Sequence, residues 1–107
     1  MNALPPSVTE HLEEVRALCE KYRVKRLSLF GSAVKGTFDP ERSDLDFVVE
    51  FLTEPDPLRR GEYYLDLLLG LQQLFTRDVD LVVGTSITNV YFRQVLDLTA
   101  CQLYDAA

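Results

Sequence analysis

Acidic and apolar residues alternate along the run Asp44–Phe51, DLDFVVEF. Asp44, Asp46, Val48 and Glu50 form one set, and Leu45, Phe47, Val49 and Phe51 the other. A period of two means a strand, roughly Leu45–Phe51, because successive side chains point to opposite faces. No other stretch restricts the fold so tightly, since one face must be buried while the other carries two carboxylates side by side. Neighbouring carboxylates repel each other and resist desolvation. A fold keeps such a pair wet or places a cation between its members. Hard oxygen ligands at this spacing suit magnesium, which retains waters and takes its other ligands from a substrate phosphate.

An earlier strand, Val24–Phe30, runs into a Gly31-Ser32 turn. Leu27 and Leu29 share one of its faces, Ser28 and Phe30 the other. Glycine lets the backbone approach a ligand closely. The Ser32 hydroxyl and the N–H groups of a following helix start would face anionic oxygens. Lys35 and Gly36 come one turn later, where a cation reaches a triphosphate. Thr37 to Arg42 is turn chemistry, since Asp39-Pro40 cannot sit in a central strand. Ser43 shapes the entry into the acidic strand.

Gly-Ser, a later Gly, and then Ser43-Asp44-Leu45-Asp46 resemble the signature of the DNA polymerase β-type nucleotidyltransferase superfamily. The short chain most resembles the minimal nucleotidyltransferase branch, often the antitoxin partner of a HEPN-type toxin. The resemblance implies an α/β (α+β) fold, a small mixed sheet with helices packed on it. It also implies a third carboxylate on a later strand. Asp80, between Val79 and Leu81, is the choice, with Asp78 on the same face as its rival. By the same resemblance Asp44, Asp46 and Asp80 are the catalytic, metal-holding residues. They would grip two Mg²⁺ ions about 3.5–4 Å apart. Gly31, Ser32, Lys35 and Ser43 would bind the nucleotide. Lys35 stands where the family usually has Arg, which keeps the charge but gives up bidentate phosphate contact.

The implied reaction transfers AMP from ATP to a hydroxyl, a tyrosine of a HEPN-type toxin, which this chain would neutralise as its antitoxin. Two other readings stand beside it. In one, the chain is a non-catalytic antitoxin that covers the toxin. In the other, it is a small-molecule nucleotidyltransferase, although those usually carry an added helical domain for the acceptor.

The composition narrows the setting. At 107 residues the chain has room for a single domain, read as residues 7–107 after a flexible tail, 1–6. With 47% hydrophobic and 26% charged residues it reads as a globular protein. No basic region followed by an apolar run opens the chain, and no apolar stretch reaches membrane-spanning length, so a cytoplasmic protein is expected. Cys19 and Cys101 lie in apolar patterns and read as free thiols rather than a disulfide or metal pair. The net charge of −6 argues against a domain that holds nucleic-acid backbone, and suits a partner with a basic surface.

Elsewhere the periodicity predicts a helix over 8–22, with Ser7 and Glu10 as a capping box and His11 solvated on its polar side. A long helix is predicted over 58–75, with Tyr64, Leu67, Leu68, Leu71, Leu74 and Phe75 facing the core. Leu58, Leu65 and Leu69 form a second stripe, suited to deep burial or to another chain. Gly70 inside this helix implies a close packing contact, since glycine there costs about 1 kcal/mol relative to alanine. A third strand is predicted over 77–83, and Gly84-Thr85-Ser86 as a turn. Thr88 or Asn89 would cap a last helix with Val90, Val95 and Leu98 turned inward. Phe92 and Arg93 on that helix would line the cleft or face a partner. A final short strand is read at 102–104.

Overall fold

The apolar halves of the alternating strands need a cover, and two helices supply it. In this computed structural model the described backbone comprises residues 6–30 and 45–106, and the described side chains 8–30, 45–95 and 100–106. In chain order the elements are α1 (Pro6–Thr9), α2 (Leu12–Lys21), β1 (Val24–Phe30), β2 (Leu45–Phe51), α3 (Pro57–Phe75), β3 (Val79–Val83), a 3₁₀ turn (Gly84–Ser86), α4 (Val90–Thr99) and β4 (Cys101–Asp105). The four strands lie in the order β3-β2-β1-β4. β1 is antiparallel to both β2 and β4, and β2 is parallel to β3. The fold is therefore mixed α/β. A parallel pair needs a crossover, and α3 provides it between β2 and β3.

The buried face holds Leu27 and Leu29 of β1, Leu45, Phe47 and Val49 of β2, and Val79 and Leu81 of β3. Against it pack Val15 and Cys19 of α2 and Leu67, Leu71 and Phe75 of α3. The Phe47 and Phe75 rings stack with centroids 6.1 Å apart. Tyr64 leaves the apolar layer only through its hydroxyl, which donates to the Leu81 carbonyl at 2.6 Å. Burial of this set is the main term holding the layers together, at about 1.5–3 kcal/mol for each large apolar side chain.

The bounds of α3 follow from its sequence. The Asp56 carboxylate accepts the Leu58 N–H at 3.0 Å, and Pro57 occupies the first turn, where its missing N–H costs nothing. Gly70 has the predicted close neighbour. A Cβ there would lie 2.9 Å from Leu18 Cδ2, so the glycine lets α2 and α3 approach.

Several expectations need correction. The helix predicted over 8–22 is broken at Glu10-His11 into α1 and α2. The break turns Val8 fully into the core and leaves Leu12 37% exposed, which one continuous stripe would not do. His11 is not simply solvated. Its ring meets Phe75 edge-on at 5.6 Å, with Nδ1 3.8 Å from a Glu14 carboxylate oxygen. The third strand begins at Val79 rather than at residue 77, and the last strand is longer than predicted, Cys101–Asp105. Val90 and Val95 do not turn inward; they are 71% and 37% exposed. The side chain of Leu98 lies outside the described residues.

Candidate active site

The sheet face away from α2 and α3 carries the polar half of each alternation. Register pairs Phe30 of β1 with Asp46, Ser28 with Val48, and Arg26 with Glu50. On the other side of β2, Asp46 pairs with Asp80 and Val48 with Val82. Register partners point their side chains to the same face. Asp46 and Asp80 thus stand side by side on adjacent strands, about 4.8 Å apart at the backbone. Their sequence neighbours Leu45, Phe47, Val79 and Leu81 are all buried on the opposite face. Asp46 is half-buried and Asp80 exposed.

Asp78 differs from Asp80 in backbone setting. It precedes β3, its side chain is exposed, and its carbonyl accepts the Leu45 N–H at 3.2 Å. Gly31, Ser32, Lys35, Ser43 and Asp44 lie outside the described residues. Chain connectivity puts Gly31 directly after Phe30, the register partner of Asp46. Among the described residues no group of three or more metal-binding side chains converges. The described pair still fits a divalent cation in kind, being two hard oxygen ligands on one accessible face.

Farther along the same face is a cluster that the sequence did not reveal. The Arg93 guanidinium on α4 donates to Glu50 Oε1 at 3.1 Å and to the Gly84 carbonyl at 3.0 Å. Arg26 Nε lies 3.6 Å from the other Glu50 oxygen. Gly84 presses against the same place, since an added Cβ would meet Glu50 Cγ at 3.1 Å and Val48 Cγ1 at 3.2 Å. Together these contacts bring the start of α4 to the open face. Asn89 fixes its first turn, accepting the Phe92 N–H at 2.9 Å. Between α4, β1 and β2 lies a cavity of about 330 Å³, lined by Arg26, Ser28, Val48, Glu50 and Arg93 among others. Of the two last-helix residues considered from sequence, Arg93 lines this cavity, while Phe92 is 43% exposed.

Cys19 and Cys101 are free thiols. Burial, with Glu20 nearby, pushes the Cys19 thiol up to about 12 from 9.0, which makes it a poor nucleophile at neutral pH. No helix among the described residues is long and apolar enough to cross a membrane.

Residues 12–98 match the Nucleotidyltransferase domain family. The protein adenylyltransferase MntA of Thermococcus cleftensis is 36% identical over 91 residues, which cover 83% of this chain and 82% of that protein. A crystal structure of a toxin–antitoxin with AMP-PNP superposes with a TM-score of 0.64 at 28% identity, covering 89% of this chain and 73% of the other. A tri-AMPylated Shewanella oneidensis HEPN toxin in complex with its MNT antitoxin gives 0.59 at 25% identity, covering 92% of this chain and 72% of the matched one.

Proposed function

This chain belongs to the nucleotidyltransferase domain family, and from that premise we propose that it transfers AMP from ATP to a tyrosine hydroxyl of a HEPN-type toxin and so acts as its antitoxin. The observation that carries the reading is the register pairing of Asp46 with Asp80 on the sheet face opposite the one that α2 and α3 bury. Three further supports come from relatives: one is a protein adenylyltransferase, one structure holds AMP-PNP, and one holds an AMPylated HEPN toxin.

Asp44, Asp46 and Asp80 would hold two magnesium ions, which supply positive charge at the triphosphate and lower the pKa of a nearby hydroxyl. Gly31, Ser32 and Lys35 would hold the β and γ phosphates and direct them away from the acceptor, and Ser43, at the turn into the acidic strand, would complete the nucleotide-binding set. The acceptor oxygen bonds to the α-phosphorus, the bond to the bridging oxygen breaks, and pyrophosphate leaves. The hydroxyl proton would pass to the Asp80 carboxylate, which is exposed and would release it to water. No side chain of this protein becomes covalently modified. We place the reaction in the cytoplasm, where ATP is abundant and two free thiols persist.

Incubation with α-labelled ATP, Mg²⁺ and a purified HEPN-type toxin tests the reading. Label should appear on the toxin and vanish in Asp46→Asn. Label undiminished in that variant would overturn the assignment. A variant that still protects cells without labelling the toxin would favour neutralisation by binding alone.

A further inference from the structure

β3 carries a site residue on few fastenings. It has five residues, Val79–Val83, and among the described strands it is laddered to β2 alone. That ladder sets Asp80 opposite Asp46, and like charges directly opposite each other destabilise a strand pair. A slip of one residue would turn Asp80 to the buried face. The Leu45 N–H, donating to the Asp78 carbonyl at 3.2 Å, ties the start of β3, and the Tyr64 hydroxyl on the Leu81 carbonyl ties its middle. Its end is tied by Arg93 of α4. Nη1 donates to the carbonyl of Gly84, directly after β3, and Nη2 donates to Glu50 Oε1 on β2. Arg26, the register partner of Glu50 on β1, lies with Nε 3.6 Å from the other carboxylate oxygen. A planar fork with both prongs engaged fixes the carbonyl relative to the carboxylate, which the single point of a lysine ammonium does not. Gly84 completes the fit, since a Cβ there would meet Glu50 Cγ at 3.1 Å and Val48 Cγ1 at 3.2 Å.

We propose that Arg93 is a positioning residue for the acidic pair. By clamping Gly84 to Glu50 it holds β3 in register against the repulsion between Asp46 and Asp80, so that a divalent cation meets two carboxylates already in place. The cation half of the proposal rests on the reading of Asp46 and Asp80 as a nucleotidyltransferase site; the clamp rests on this chain's own contacts.

Distance makes the role measurable. Four residues of strand, about 13 Å, separate Gly84 from Asp80 and Glu50 from Asp46. Substitutions that far apart normally add in their effect on stability. A clamp that opposes the repulsion makes them non-additive, because removing one acid leaves the clamp less to resist. Simple charge attraction between Arg93 and the acids would give the same sign. At physiological salt, however, the screening length is about 8 Å, shorter than that separation. Arg93→Lys also keeps the charge while losing the fork.

The test measures urea midpoints, at physiological salt and without metal or nucleotide, for wild type, Asp80→Asn, Arg93→Gln, Arg93→Lys and the two double variants. Binding of Mn²⁺ alone, as a probe of the cation site, is followed by electron paramagnetic resonance. Arg93→Gln should lower the midpoint of wild type, and lower that of Asp80→Asn by about half as much or less. Arg93→Lys should repeat that pattern. Both Arg93 variants should bind Mn²⁺ about tenfold more weakly, the scale on which lost outer support weakens a metal site. Gly84→Ala changes no charge and should weaken Mn²⁺ binding in the same way. It decides the question if circular dichroism shows an Arg93 variant unfolded. Equal losses of midpoint in the two backgrounds would make Arg93 an ordinary structural contact and overturn the proposal. So would Arg93→Lys behaving as wild type, since charge rather than the fork would then act. Mn²⁺ affinity unchanged in both Arg93→Gln and Gly84→Ala would overturn it too. A wild-type chain that binds no Mn²⁺ ends the reading of Asp46 and Asp80 as a cation site, and the urea series still decides the clamp.

Discussion

Asp78 and Asp80 are two residues apart and look equivalent in an alternating pattern, yet among the described residues Asp80 lies within β3 opposite the acidic Asp46, while Asp78 precedes the strand. Asp80→Asn should lower AMP transfer by about 100-fold or more, the scale of removing one preorganised electrostatic contact from a reacting centre. Asp78→Asn should stay within a few fold, as rates of labelled AMP transfer would show. Where β3 begins was not legible, because a strand end at Val79 depends on a backbone hydrogen bond from the Leu45 N–H to the Asp78 carbonyl. Glu50 was legible only as the last acid on its face. Its bonds to Arg93 and Arg26 join residues far apart in the chain, which no local spacing can announce. Cys19, by contrast, was readable as a buried thiol from its place in a helical apolar stripe. Since its pKa is raised in the folded state, its contribution to stability is intact below 9.0 and is lost as pH climbs toward about 12. Urea midpoints should fall across that window, with a shallower fall in Cys19→Ala. Thiol reagents at pH 8 should label Cys101 while leaving Cys19 untouched until the protein unfolds.

At the scale of elements, β1 and β2 match their predicted bounds because alternation stops where turn chemistry begins. α3 was legible from its apolar stripe, while its start one residue before the predicted Leu58 is set by the Asp56 cap and Pro57. What failed were places where tertiary packing overrides a local pattern. The α1–α2 break serves the core through Val8 and His11, and a continuous apolar stripe hides it. α4 carries a helical apolar pattern in which Val90 and Val95 stay exposed, so periodicity assigned them to a core they do not reach. The joints between elements also have a cost of their own. Arg23, between α2 and β1, has φ 57°, and Thr76, after α3, has φ 51°. Left-handed backbone costs a residue with a Cβ about 1–2 kcal/mol. The Arg23 side chain is exposed, so Arg23→Gly should relieve that strain with little lost contact. Part of the gain is offset by the greater freedom of glycine in the unfolded chain. A net rise of about 0.5 kcal/mol in urea-derived stability is expected; a fall would mean that Arg23 makes a contact outweighing its strain.

Across the whole molecule the sheet divides stability from chemistry. One face joins α2 and α3 in an apolar layer; the other holds paired acids that the core has no use for. The order β3-β2-β1-β4 makes this division, and it was not derivable from pattern alone, because alternation gives faces but not neighbours. Placing β3 beside β2 in parallel brings Asp80 to Asp46, and like charges directly opposite each other cost about 0.2–1 kcal/mol. A site that tolerates this repulsion for function should become more stable when the function is removed. Asp80→Asn should therefore raise the melting temperature without divalent cation, by roughly 4–8 °C for each kcal/mol recovered in a domain of this size. Adding Mg²⁺ with AMP-PNP should reverse the ranking. A ligand that binds only the folded chain stabilises it by about 2.7 kcal/mol at a hundred times its dissociation constant. Wild type should gain that increment and the variant little of it. Thermal melts of both proteins, with and without Mg²⁺·AMP-PNP, decide the matter. If Asp80→Asn lowers stability without the ligand and responds to it as wild type does, the carboxylate is a structural group, and the paired acids are not a cation site.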